Sequence, residues 1–358
     1  YDSFLFMILK KILSLAASII NIFIMILFFS NSNAEENNIK YYSEDSGTLS
    51  IMYHRFDENK YPSTNIQMDM FKDQMDMIIK NNLNFYNPKQ FDLNFSKPKK
   101  EKKILITIDD AFSSFYNSAW PYFKKNKIPF ILFVSTKPVG NSGYMTWEQI
   151  KEVEKEDFAF IGNHSHSHEY MVNFKFSEFK KDIETSIKIF NEKLGYNPIF
   201  FSYPFGEYSL KQKNFIKEKF SYGFGQHSGV IDFNKDKFEL SRFPINEKYG
   251  DLKRFESLIK LMPLQYKKIF PEDKLISNSN NPPKMYIEFF EKQNNLNLIN
   301  CFSNESGEWK NTDLELKKNK LIINFKKKFD FRRGRINCSM NDKNGWRWLG
   351  VQFSILEN

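Results

Sequence analysis

Apolar positions along this chain follow two periods. Residues 48–54 (Thr-Leu-Ser-Ile-Met-Tyr-His), 104–108 (Ile-Leu-Ile-Thr-Ile) and 129–134 (Pro-Phe-Ile-Leu-Phe-Val) are short apolar runs and read as buried strands, as do the shorter runs at 158–162 and 199–203. Between them the spacing turns helical. Residues 67–80 place Met68, Phe71, Met75, Ile78 and Ile79 on one face, and helices are expected over 113–125, 177–194 and near 209–219. Thr146-Trp147-Glu148-Gln149 has the form of a capping box and opens another. Strands alternating with helices imply an α/β domain with a mostly parallel sheet, over residues 48–270, and the strand count is compatible with a barrel.

The pattern changes after about residue 270. Short strand-like segments at 285–290, 296–302, 320–325, 335–340 and 346–355 are separated by Ser306-Gly307, Arg333-Gly334 and Asn344-Gly345. A small all-β domain over 284–358 is expected, with the Asn/Ser/Pro stretch 277–283 as its linker.

At the other end, Lys10 and Lys11 precede an uncharged apolar stretch, residues 12–29, and then small polar residues to Ala34. Residues 1–34 therefore read as a secretory signal peptide, or as an uncleaved membrane anchor, because the apolar stretch is nearly long enough to span a bilayer. Either way the body of the protein is exported: periplasmic, secreted or anchored facing outward. In such a compartment Cys301 and Cys338, both in strand-like segments of one region, are expected to pair rather than stay as buried thiols. The net charge of +9 is spread in short lysine clusters with no nucleic-acid module signature, so it reads as a solvated surface, and no nucleic-acid partner is expected.

The chemistry sits at strand ends. Asp109 and Asp110 close the 104–108 run, and His164, His166 and His168 follow the 158–162 run. One carboxylate and two imidazoles make a three-ligand site for a divalent ion, and the second carboxylate is left as a base. His164 and His168, four apart, suit one helical turn or a compact loop, which leaves His166 pointing elsewhere.

Thr107-Ile108-Asp109-Asp110-Ala111-Phe112, Gly162-Asn163-His164-Ser165-His166-Ser167-His168 and Phe201-Ser202-Tyr203-Pro204-Phe205-Gly206 occur in that order. Together they resemble the first three motifs of the polysaccharide deacetylases, the NodB-homology or carbohydrate esterase family 4 enzymes. Met52-Tyr53-His54-Arg55-Phe56 and the Tyr203–Tyr208 turn look closest to the poly-N-acetylglucosamine deacetylase branch. The resemblance implies a distorted (β/α) barrel of the NodB-homology type. It implies Asp110, His164 and His168 as ligands of one divalent metal ion, for which zinc suits the ligand set, and Asp109 as general base. It also implies the Phe205 backbone N–H as an oxyanion donor and His54 as general acid, with His227 as the alternative.

Two departures stand out. Ala111 occupies a position where the family has glycine, and Ser202 stands where an arginine normally orients the base; Arg242 is the proposed substitute. The implied activity is removal of N-acetyl groups from an N-acetylhexosamine-containing polysaccharide of the envelope or exopolysaccharide. The competing readings are an O-acetyl esterase on a sugar polymer and a non-catalytic carbohydrate-binding envelope protein, with Trp309, Trp346 and Trp348 as sugar platforms or as packing residues.

Overall fold

In the Lys103–Ile108 strand (KILITI) every residue from Ile104 onward is buried. A strand apolar on both faces needs neighbours in the plane and layers above and below. It has both. The principal sheet of the computed structural model runs, in spatial order, Val230–Ile231, Thr48–Tyr53, Lys103–Ile108, Phe130–Val134, Ala159–Asn163, Phe200–Ser202 and Tyr222–Phe224. All neighbours pair in parallel except Val230–Ile231, which is antiparallel to Thr48–Tyr53. The structure describes residues 47–97, 101–291 and 293–356. The signal peptide or anchor expected over 1–34 lies outside the described residues; among these, no helix is long and apolar enough to cross a membrane.

The sheet curls, and one short segment joins its two edges. Leu240 bridges in parallel to Phe224 at one edge, while Phe243–Pro244 pairs in parallel with Ile51 and Met52 near the other. Arg242 lies between these two contacts and is fully buried. The expected barrel is thus a curled sheet drawn together by residues 240–244.

Helices cover the sheet with nearly the faces that their sequences predict; Ile79, expected on the buried face of its helix, is exposed, and Gln74 is buried there instead. Met68–Lys80 buries Met68, Phe71, Met75 and Ile78, and Phe176–Leu194 buries Phe179, Ile183 and Phe190 before Gly195 ends it at φ +85°. Both halves of the Thr146/Gln149 capping box form at the start of Trp147–Glu154. The helix expected over 113–125 forms, with a π turn, Phe115–Ala119, inside it before Trp120–Asn126. Pro121, which lacks an N–H, forces the hydrogen-bond ladder to restart there.

The C-terminal region is all β. One sheet contains Asn300–Ser303, Arg333–Asp342 and Gly345–Ile355; the other contains Lys268–Phe270, Met285–Glu288, Asp313–Lys317 and Lys320–Asn324. Their inner faces enclose Leu264, Ile287, Phe289, Ile323, Val351 and Phe353. Met262–Pro263 and Leu275–Ile276 both pair with Gly345–Ile355, so strands of this region begin before the expected linker. The linker itself is tied down: Asn281 is buried and exchanges two hydrogen bonds with the Phe329 backbone. Cys301 and Cys338 are register partners on adjacent strands and form a disulfide.

Candidate functional site

Asp109 still belongs to the sheet, its N–H donating to the Tyr53 carbonyl at 2.9 Å. The chain then turns sharply, with Asp110 at φ +73° and Ala111 at φ +52°. Successive carboxylates consequently meet different partners. The alanine in place of glycine keeps the left-handed conformation, at a cost of about 1–2 kcal/mol; it is buried, and its carbonyl accepts from Met145 N–H at 2.9 Å.

Asp109 is fully buried and gripped at both oxygens by Arg242, with Nη1 to Oδ1 at 2.6 Å and Nη2 to Oδ2 at 2.9 Å. The guanidinium is itself fixed: Nε donates to the Gly225 carbonyl at 2.9 Å, Nη2 to Ser202 Oγ at 2.8 Å and Nη1 to Thr107 Oγ1 at 3.3 Å. The small Ser202 leaves room for an arginine arriving from the 240–244 segment. Burial pushes the Asp109 carboxyl up, but the Arg242 charge, helped by His164 and His54, outweighs it and holds the group below its ordinary range.

Asp110 faces the histidines. Its Oδ1 lies 3.1 Å from His168 Nε2 and 3.6 Å from His164 Nε2, and His164 Nε2 is 3.8 Å from Asp109 Oδ2. One ligand atom from each of Asp110, His164 and His168 lies within 4.8 Å of the others. His164 Nδ1, 2.7 Å from the Ser202 carbonyl, must carry its proton there. That leaves Nε2 as a lone pair, buried and without a hydrogen-bond partner. An orphaned imidazole nitrogen aimed at a carboxylate and a second imidazole fits a divalent cation, with the Ser202 carbonyl fixing the tautomer from behind. Burial pushes His164 down to about 4. Burial also pulls His168 down, but the charge and hydrogen bond of Asp110 prevail and raise it. Burial pushes Asp110 up; the charge and hydrogen bond of His168 more than reverse this.

The histidines occupy a compact loop rather than a helical turn. Asn163 Oδ1 accepts from Ser165 N–H at 2.8 Å, and Ser135 Oγ donates to the His164 carbonyl at 2.8 Å. Buried Asp182, on the Phe176–Leu194 helix, accepts from the N–H groups of His166 (2.8 Å) and Ser167 (3.1 Å). Its signal in the sequence is an acid on an otherwise apolar stripe with Phe179 and Ile183. Ser165 and His168 have φ +70° and +55°, so the loop holds strained backbone of the kind that collects at functional sites. His166 turns away, its Nδ1 2.8 Å from Thr136 Oγ1.

His54 ends the Thr48–Tyr53 strand half-buried, close enough to lower both carboxylates. Phe205 stands at φ +58° in the Pro204–Gly206 turn, its ring 4.8 Å from that of His168. His227 is not among these groups. Its ring lies against Gly225, and the charges acting on it are Glu239, Lys274 and Arg242; burial pushes it down to about 4. It lines a small cavity with Glu239, Tyr266 and Trp348. Tyr144, which the sequence did not single out, adjoins the site: burial and the Asp110 charge both raise its hydroxyl. Trp309 and Trp346 are exposed, whereas Trp348 packs on Phe243 and donates to Ser228 Oγ.

Residues 96–221 match the family model described as polysaccharide deacetylase. The chain is 27% identical over 199 residues to a putative polysaccharide deacetylase, YxkH, of Bacillus subtilis, covering 55% of this chain and 70% of the relative. It is 23% identical over 259 residues to a poly-β-1,6-N-acetyl-D-glucosamine N-deacetylase of Staphylococcus epidermidis, covering 64% and 88%. Among solved structures, IcaB from Ammonifex degensii superposes with a TM-score of 0.52 at 23% identity, over 60% of this chain and 97% of that one. The Streptococcus pyogenes deacetylase PplD does so with a TM-score of 0.52 at 20% identity, over 57% and 94%. The curled α/β sheet is thus the NodB-type deacetylase fold.

Proposed function

The chain carries a polysaccharide deacetylase domain, and from that premise we propose that it is a metal-dependent hydrolase removing N-acetyl groups from an N-acetylhexosamine-containing polysaccharide, poly-β-1,6-N-acetylglucosamine above all. The observation that carries the reading is the division of labour between adjacent acids: Asp110 faces two imidazoles, while Asp109 is buried against Arg242 beside them. Asp110, His164 and His168 would hold the ion, for which zinc suits one carboxylate and two nitrogens. Such an ion supplies Lewis acidity to a carbonyl oxygen and makes nearby water more acidic.

The remaining steps belong to the chain. Asp109, kept ionised by Arg242, takes a proton from the attacking water. As the water oxygen bonds to the acetamide carbon, charge develops on the carbonyl oxygen, and the Phe205 N–H is the donor for it. The C–N bond then breaks as His54 gives a proton to the departing amine, leaving acetate and a free amino sugar. His54 is preferred over His227 because it lies beside the carboxylates. Changing it should hurt amide cleavage more than ester cleavage, since an alkoxide leaves more readily than an amide nitrogen. The reading puts the protein outside the cytoplasm, supported by the basic and apolar order of residues 10–34 and by the Cys301–Cys338 disulfide.

The test is acetate release from β-1,6-linked N-acetylglucosamine oligomers and from acetylated xylan, each with and without chelator. Chelator-sensitive release from the oligomers is expected. Release from xylan alone identifies an esterase, and release from neither overturns the enzyme reading.

A further inference from the structure

The turn that presents Phe205 is held by the C-terminal sheet. Gln352, on the Gly345–Ile355 strand and only 5% exposed, donates through Nε2 to the carbonyls of Phe205 (3.0 Å) and Gly206 (3.1 Å). Arg335 Nε donates to Gln352 Oε1 at 3.2 Å, so the amide can face the turn only with its NH2. The next residue, Glu207, is buried, and Arg332 Nε reaches both of its oxygens at 3.1 and 3.0 Å. The same guanidinium lies 3.8 Å over the ring of Tyr170, which stacks on Phe205 at 4.2 Å. Three successive residues of the turn are therefore anchored on the C-terminal β region, by Gln352 on a strand and by Arg332 just before one, more than a hundred positions away in sequence, since the separations are 147, 146 and 125.

The turn needs such anchoring. Phe205 and Gly206 both have positive φ, +58° and +68°. A Cβ on Gly206 would come within 2.5 Å of Gln226 N, so the backbone is wedged against its neighbour. A non-glycine residue in the left-handed region persists only where its surroundings over-determine it. Here the surroundings are the two hydrogen bonds from Gln352 and the aromatic contact with Tyr170.

We propose that Gln352 is a positioning residue for deacetylation. It fixes the peptide groups on the carbonyl side of Phe205, and with them the direction of the Phe205 N–H. The C-terminal β region is then a working part of the active site. The structural half of this inference stands on the hydrogen bonds alone; the catalytic half rests on the deacetylase reading above.

The test uses the full chain with Gln352→Leu, which removes the donor, and Gln352→Glu, which keeps length and shape while replacing the donating NH2 by an acceptor. In metal-free protein, amide hydrogen exchange at residues 205–207 should accelerate by about tenfold in both variants, the loss expected for one or two neutral hydrogen bonds. Exchange at 164–168 should not change. With metal added, kcat on N-acetylglucosamine oligomers should fall roughly 10- to 100-fold with KM within about twofold, because only a group engaged in the transition state is displaced. Should Gln352→Leu fail to fold, Gln352→Glu carries the test. Unchanged exchange at 205–207, or a raised KM with kcat intact, overturns the inference. If the wild-type chain releases no acetate, the deacetylase reading fails, while the exchange experiment still decides whether Gln352 holds the turn.

Discussion

Replacing Arg242 by methionine removes the counter-charge of a carboxylate with no exposure at all. Arg242 makes two short contacts to Asp109, at 2.6 and 2.9 Å, and three to other acceptors. Breaking one side of a buried pair typically costs about 3–5 kcal/mol, because the surviving charge stays desolvated. Methionine roughly keeps the aliphatic stem, and what is lost with the guanidinium, its place over the Phe133 and Phe224 rings included, is mainly electrostatic. In the wild type the Asp109 pKa is depressed. Its stabilisation is therefore complete above the unfolded value, about 3.9, and fades as pH falls through the lower folded value. Without Arg242, burial becomes the dominant influence and the folded pKa rises above 3.9. The variant's deficit should thus be largest near pH 8 and shrink as acid protonates Asp109. Guanidinium unfolding of wild type, Arg242→Met, Asp109→Asn and the double variant, at pH 8 and pH 5, measures both effects. A coupling energy below about 1 kcal/mol at pH 8, or a deficit independent of pH, would refute the reasoning.

Three further outcomes are expected. Asp182→Ala frees the N–H groups of His166 and Ser167, and metal affinity measured by competition with a chelating dye should weaken about 10- to 100-fold, as for other changes behind a ligand. His164, pushed down to about 4, is already neutral near neutrality, whereas His168 is raised. Calorimetry in buffers of different ionisation enthalpy should therefore detect at most about one proton released on metal binding, with affinity falling as pH drops through the His168 value. The Cys301–Cys338 disulfide joins positions 37 apart; replacing both by serine should cost up to about 4 kcal/mol on the loop-entropy estimate, read as a lower unfolding midpoint of the β region.

What the sequence reveals is local. The strands around Ile106 and Leu132, the Thr146 cap and the histidine spacing all follow from runs of a few residues, and the structure has each of them. The acid pair and the imidazoles converge because parallel strands end on one rim, which periodicity alone implies. The rest depends on contacts between distant segments. Asp182 falls on the apolar stripe of its helix, but what that stripe faces, the histidine loop, is visible only in the fold. The two-residue strand Met262–Pro263 carries no strand signal, since its proline and its length both argue against one. Gln352 looks like one more polar residue on an alternating strand, and only the packing of the β region on the Phe205 turn gives it a partner.

The segment 240–244 gives this architecture a safeguard. Seating it along both sheet edges and delivering the Arg242 guanidinium to Asp109 are the same physical event. A chain that collapsed with the seam unsewn would have to entomb a bare anion or protonate it, and either costs several kcal/mol. Such a misassembled form is driven to stay ajar and hydrated, and the proton acceptor acquires its dry setting only once the molecule is correctly shut.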